Sequence, residues 1–222
     1  MTQELVREKA LITGGQGDLA QTLKNTLENA GLEVLAPGCA ELDVTRPDSV
    51  KCTFDKAGDV DLLIANAGLT IDQPLLKMSE LDWAQVMDVN LRGAFLCARE
   101  VSRRMMKRRS GHIIFISSFS AVQPPAGQAN YAAAKSALLG LMKSMAAELG
   151  SRNVRVNAIL PGFMETKMTA DLKDQVKAKA LKRHALGRFN TSEAAAEFIT
   201  CLHQKMPHTS GQVFNLDSRV LP

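Results

Sequence analysis

Lys9-Ala10-Leu11-Ile12-Thr13-Gly14-Gly15-Gln16-Gly17-Asp18-Leu19-Ala20 is the stretch whose reading decides the fold. Its first five residues form a short apolar run, read as a strand. Gly14, Gly15 and Gly17 then let the backbone turn tightly, and an amphipathic helix follows from about Asp18 to Ala30. The alternation continues outward. Glu33 to Ala36 reads as a second strand, and Val60 to Ala65 as a third that ends at Asn66-Ala67-Gly68. A long helix runs from about Ser79 to Arg108, with a break near Asn90. Gly111 to Ile116 is a strand, Asn130 to Leu149 a helix and Val154 to Ile159 a strand. A loop at Pro161-Gly162, mixed helix to about Gln204 and a strand from Gln212 to Leu216 complete the pattern. Strands that are continuously rich in Val, Ile and Leu are buried on both faces. The chain therefore reads as α/β: a three-layer, doubly wound parallel sheet covered by helices on both sides, in one domain over residues 1–222.

The bulk numbers suit a domain with a sizeable core: 222 residues, 45% hydrophobic and 23% charged. A net charge of +4 calls for no nucleic acid or membrane partner, and aromatics are only 5%. Cys39, Cys52, Cys97 and Cys201 are scattered without a CxxC or His/Cys cluster, which argues against a metal site or a disulfide frame. Met1 to Arg7 holds no apolar core of a secretory leader, and no apolar run approaches the ~20 residues that span a bilayer. The expectation is a soluble, cytoplasmic protein.

In such folds ligands bind beyond the carboxyl ends of the strands. Gly15-x-Gly17-x-x-Ala20, placed after a strand and before a helix, has the spacing that brings backbone against a pyrophosphate. An acid at the end of the second strand would bind a ribose 2′-hydroxyl, and an Arg nearby a 2′-phosphate. Ala36-Pro37-Gly38-Cys39-Ala40 offers neither, which leaves NAD and NADP both open. A glycine turn without a ligand is the plain alternative.

Tyr131 and Lys135 are four residues apart and project from one helix face, with Ser118 upstream on a strand end. A phenol titrates near pH ~10 and serves at neutral pH when a neighbouring cation favours its phenolate. Phenol, ammonium and hydroxyl together suit proton transfer to or from a carbonyl or alcohol oxygen. The spacing does not separate Ser118 from Ser117 and Ser120. The plain readings are a buried structural tyrosine, a solvated lysine and a turn-forming serine.

Together these motifs resemble the short-chain dehydrogenase/reductase family, and most of all its 3-oxoacyl-acyl-carrier-protein reductases. Thr13-Gly14 opens the glycine turn, and Asp43-Val44 is similar to an adenine-flanking Asp-Val. Ala65-Asn66-Ala67-Gly68 is similar to Asn-Asn-Ala-Gly. Asn90, Ser118, Tyr131 and Lys135 fall on the family's catalytic tetrad, and Pro161-Gly162 through Thr166 on its cofactor-proximal loop. Gly127-Gln128-Ala129-Asn130-Tyr131 and the segment from Pro161 to Thr169 are especially similar to the acyl-carrier-protein reductases.

The resemblance implies a Rossmann-like fold and an NAD(P)H-dependent carbonyl reductase or alcohol dehydrogenase. NADP is favoured over NAD, and a 3-oxoacyl thioester or similar ketone over other substrates. Tyr131 would be the general acid. Lys135 would lower its pKa and hold the nicotinamide ribose, and Ser118 would bind the substrate oxygen. Asn90 would bind a backbone carbonyl and a relay water, or else simply kink its helix. Gly14, Gly15, Gln16, Gly17, Asp18 and Leu19 would lie along the cofactor with Asp43, Val44, Asn66, Ala67, Gly68, Pro161, Gly162 and Thr166. Asn66 to Gly68 also read as a turn without a ligand, and Asp43 as a cap on the turn into Thr45-Arg46-Pro47. A homodimer or homotetramer is implied.

Three departures stand out. Asp18 and Ala20 occupy positions where the classical members carry glycines, and the Thr-Gly-x-x-Gly-x-x-Ala spacing instead resembles the extended members; Asp18 would meet phosphate or cap the helix. Few residues separate Ala36 from Asp43, too few for the helix and strand usual there, so six strands and a more open adenine pocket are expected. Asn215-Leu216-Asp217-Ser218-Arg219 lacks the usual glycine pair. Two basic stretches, Arg103 to Arg109 and Lys173 to His184, read as solvated faces or as docking sites for an acidic acyl carrier protein or a coenzyme A phosphate. The rival functions are a redox-sensing nucleotide module and a partner subunit with a degenerate cofactor site.

Overall fold

The computed structural model describes residues 7–165 and 174–220. Six parallel strands form one sheet, ordered β2-β1-β3-β4-β5-β6. They are β1 (Lys9–Ile12), β2 (Glu33–Leu35), β3 (Leu62–Ala65), β4 (Gly111–Ile116), β5 (Val154–Leu160) and β6 (Val213–Asn215). The strand that the short segment after β2 cannot supply is indeed missing, so β2 is an edge.

Residues of each central strand alternate between two cores. Leu11, Leu63, Ile113 and Val156 face one side, against α2 (Pro47–Ala57), α4 (Ala94–Arg108) and α5 (Ala129–Leu149). Ile12, Leu62, Ile64, Ile114 and Ile159 face the other, against α1 (Asp18–Asn29) and α7 (Ser192–Lys205). Two buried faces explain the unbroken apolar strands.

The helix predicted from Ser79 to Arg108 is divided. A reciprocal Ser79/Asp82 capping box starts α3 (Glu80–Met87), a π-helical turn spans Asp88–Gly93, and α4 follows. The turn brackets Asn90, where the break was expected. Helix α2 was not anticipated, although Pro47 at its first position and Val50, Phe54 and Ala57 on one face are its signals. Helix α6 (Asp174–Leu181) precedes α7.

At the amino end of β4 and β5 lies a buried polar row. Asn157 Nδ2 is 3.1 Å from His112 Nε2, and His112 Nδ1 is 3.3 Å from His203 Nδ1. His203 Nε2 is 3.3 Å from a Glu8 carboxylate oxygen. Asn157 Oδ1 accepts from Gln212 N–H, so its amide nitrogen is the donor to His112. That assigns the proton of His112 to Nδ1 and that of His203 to Nε2, with both rings neutral. Burial, first of all, holds both histidines below their ordinary pKa.

Candidate active site

The sheet order reverses between β1 and β3, and the crevice beyond their carboxyl ends is where such folds bind ligands. The glycine turn closes there. Gly14 has φ +69°, and a Cβ on it would stand 2.9 Å from Ala67 Cα. Gly17 N–H donates to Gly14 O (3.1 Å), and the Gln21 side chain donates to Gly15 O. Gly17 is the N-cap of α1 and brings no side chain to satisfy the first-turn amides, which suits an anion. Asp18 is the first helical residue rather than the cap, and Leu19 turns into the core.

The shortened segment after β2 packs directly on this turn. Gly15 N–H donates to Pro37 O (2.9 Å), a Cβ on Gly15 would fall 1.9 Å from Ala36 O, and Gln16 packs on Gly38. The nearby carboxylate of Glu41 accepts from Gly38 N–H (3.0 Å). Asp43 serves as a turn cap: its Oδ1 accepts from Thr45 N–H (3.0 Å) and hydroxyl (2.7 Å), bonds that lower its pKa. Val44 is buried against Gly93.

Thr13, absent from the sequence-derived set, ties the floor of the crevice together. Its buried hydroxyl accepts from the amides of Asn66 (3.0 Å) and Ala67 (2.9 Å), and Asn66 Nδ2 donates to its carbonyl (3.0 Å). Asn66 thus joins β3 to β1 through its side chain. Gly68 leaves room for two groups, since a Cβ there would lie 2.7 Å from Asn90 Oδ1 and 3.5 Å from Lys135 Nζ.

Asn90, Ser118, Tyr131 and Lys135 come together at this end of the sheet. Asn90 Nδ2 donates to Leu69 O (2.8 Å) and Val86 O (2.9 Å), while its Oδ1 is buried without a hydrogen-bond partner. Lys135, 3% exposed, donates from Nζ to Ile116 O (2.8 Å) and lies 5.6 Å from the Tyr131 ring centre. Burial brings its pKa down to about 8.

The serines separate cleanly. Ser117 donates to Lys135 O (2.8 Å) and Ser120 to Gln128 Oε1 (2.9 Å), which leaves Ser118 at the phenol. The Tyr131 pKa is raised, by burial above all; the Ser118 hydrogen bond lowers it and Asp72 adds to the rise.

Sequence reading also missed the supports of this cluster. Asn130 takes Tyr131 N–H on its Oδ1 (2.7 Å) and donates to Ile71 O (3.1 Å), and Gln128 bridges Ser120 to Asp72 (2.8 Å). Pro161 and Gly162 follow β5, with Asn190 donating to Pro161 O (2.7 Å). Thr166 lies outside the described residues, as does Lys173. His184, grouped by sequence with a basic surface stretch, is buried instead. A cleft of about 700 Å³ opens between Asp18 and Thr22 on one side and Met164, Arg188 and Thr191 on the other. Among the described residues no group of His, Cys, Asp and Glu is placed to hold a metal, and no helix is long and apolar enough to cross a membrane.

Known proteins agree with this geometry. Residues 1–177 match the short chain dehydrogenase family. A 3-oxoacyl-[acyl-carrier-protein] reductase FabG of Aquifex aeolicus is 37% identical, over 93% of this chain and 85% of the relative. The FabG of Thermotoga maritima is 41% identical, over 79% of this chain and 74% of its own. The crystal structure of gox2181 superposes with a TM-score of 0.90 at 26% identity, covering 96% of this chain and 95% of that one. Members of this family use nicotinamide dinucleotides, and the uncapped start of α1, the tight Gly14–Ala67 approach and the orphaned Asn90 oxygen fit such a group. The chain belongs to the short-chain dehydrogenase family and is an NAD(P)-dependent oxidoreductase acting on carbonyl or hydroxyl groups.

Proposed function

We propose that this protein reduces a 3-oxoacyl thioester to the 3-hydroxyacyl thioester, with NADPH favoured over NADH. The observation that carries the reading is the convergence of Ser118, Tyr131, Lys135 and Asn90 beside the glycine turn, in a chain whose relatives bear the name 3-oxoacyl-[acyl-carrier-protein] reductase. When bound, the dinucleotide supplies the hydride. Tyr131, held protonated at neutral pH by burial, gives its proton to the carbonyl oxygen. Ser118 hydrogen-bonds the same oxygen and stabilises the charge that develops on it. Lys135 binds ribose hydroxyls. The Asn90 oxygen, close to the lysine across Gly68, accepts from a water that returns the proton. Gly14 to Leu19 would carry the pyrophosphate, and Asn66 to Gly68, Pro161 and Gly162 would border the remainder.

The preference for NADPH rests on the end of β2, where no carboxylate stands and Glu41 is engaged by Gly38. The exposed Lys179, Lys182, Arg183 and Arg188 near the cleft suit an acidic acyl carrier protein. A second copy of the chain would pack on α4 and α5, giving a dimer or tetramer. We read residues 1–222 as one working domain.

Calorimetric titration with NADPH and NADH, followed by an acetoacetyl thioester assay, tests this. Tyr131→Phe should bind the nucleotide as the wild type does while turnover falls about 10²–10⁴-fold. Unchanged turnover in that variant would remove Tyr131 from the chemistry.

A further inference from the structure

Asp217 and Arg219 lie outside the cluster around Tyr131, yet they join three segments that frame it. Leu216 N–H donates to Leu160 O (3.0 Å), so the chain leaves the sheet at the carboxyl end of β5. The Asp217 side chain, 1% exposed, accepts from Phe163 N–H (3.3 Å), Arg219 N–H (3.0 Å) and Arg219 Nε (2.7 Å). It also faces His184 Nε2 at 3.4 Å. Asn215 Nδ2 fixes the tail by donating to Asp217 O (3.3 Å) and Arg219 O (3.1 Å). Held flat by the carboxylate, the guanidinium places its Cζ 3.8 Å from the centre of the Phe119 ring.

Phe119 directly follows Ser118 and opens the 3₁₀ turn Phe119–Ala121. In that turn Ser120 N–H donates to Ser118 Oγ (3.1 Å). The bond occupies one acceptor position of the hydroxyl and so restricts where the rest of it can point. The ring, the turn and the hydroxyl are thus linked in series. A planar guanidinium can cover the ring face and bind a carboxylate edge-on at once, which an ammonium cannot. The glycine pair expected at this place from the family resemblance has no side chain to do either.

We propose that Arg219 is a positioning residue: by stacking on Phe119 it holds the turn that aims Ser118 at the Tyr131 phenol. This rests on the reading of Tyr131 as the proton donor. Because Asp217 neutralises the guanidinium, the influence travels through geometry rather than through charge. Ser118 is also the influence that lowers the Tyr131 pKa against burial, so misalignment has a direct readout.

Tyr131 is the only tyrosine in the chain, so phenolate absorbance in an alkaline titration reports it alone. The titration is run on wild type, Ser118→Ala, Arg219→Lys and Arg219→Met, with circular dichroism marking the range in which each stays folded. Arg219→Lys keeps a cation for Asp217 and loses only the flat stack. Both Arg219 variants should move the tyrosine midpoint upward, as Ser118→Ala does, and Arg219→Lys added to Ser118→Ala should move it no further. In the thioester assay kcat should fall about tenfold while KM holds. The proposal is overturned if Ser118→Ala raises the midpoint and Arg219→Lys leaves it at the wild-type value. It is equally overturned if Ser118→Ala itself moves nothing, since the chain of contacts then ends before the phenol. Should Arg219→Met fail to fold, Arg219→Lys decides. The underlying reading fails separately, through full turnover in Tyr131→Phe.

Discussion

At the scale of single residues, the cluster around Tyr131 is built from groups that the fold would rather not bury. Lys135 is the clearest case: it is surrounded by protein, its pKa is about 8, and the unfolded chain holds the same proton to 10.5. Between those values the unfolded state binds more protons, so stability rises with pH across that window and the penalty is complete below it. The penalty is on the order of 3 kcal/mol, partly offset by the bond to Ile116 O. Lys135→Met should therefore abolish turnover without loss of stability at neutral pH. Urea unfolding at a series of pH values should show the wild type gaining on the variant from about pH 8 upward. A constant difference between the two would contradict the buried, readily deprotonated lysine. Spacing made the Tyr131–Lys135 pair legible in the sequence, because helix geometry fixes which side chains share a face, whereas Asn90 and the choice of Ser118 over its neighbours came from the family resemblance. The roles of Thr13, Asn130, Gln128 and Arg219 were not legible, because Asn66, Ile71, Asp72 and Phe119, which they reach, are distant in the chain. No local pattern announces that Arg219 will lie on Phe119.

Among the elements, α5 both carries Tyr131 and Lys135 and presents a second surface. Ala134, Leu138 and Met142 pack inward, whereas Ser136, Ala137, Gly140, Ser144 and Ala147 are exposed. On α4 the neighbouring exposed side chains include Phe95, with Arg99 stacked on its ring at 5.2 Å. A Cβ at Gly140 would meet nothing within 4 Å, so Gly140→Arg should strengthen the isolated helix by about 0.5–1 kcal/mol. If copies of the chain associate here, the same change should convert the assembly to monomers in size-exclusion chromatography while the melting temperature of the monomer holds. An unaltered assembly would place the interface elsewhere. The π-helical turn at Asp88–Gly93 was anticipated as a break because Asn90 disfavours a helix interior, but its form follows from tertiary bonds to Leu69 and Val86. Helix α2 was overlooked for a different reason: its apolar face is short, with only Val50, Phe54 and Ala57 buried.

For the whole molecule, the parallel sheet and its two layers of helices were legible, since the alternation of apolar runs and amphipathic stretches reflects burial on two faces. So was the missing strand, which is a matter of counting residues between Ala36 and Asp43. The His112–His203 row was not, because two histidines far apart in sequence carry no sign of being stacked at 5.5 Å. Both are neutral in the fold and gain protons more readily once the chain unfolds, so stability should decline as pH falls below about 6.5. Denaturant unfolding at about pH 5 and at neutral pH measures the decline, and His203→Gln should make it shallower. An identical slope would exonerate the row. The tail that follows β6 has a further consequence, in time rather than in space. A ribosome delivers the glycine turn first, the tyrosine helix next and Arg219 long afterwards. The nucleotide crevice can therefore assemble on the emerging chain before the Ser118 turn is locked. The nascent protein would acquire a ligand before it acquired an alignment, and its chemistry would wait on its final strand.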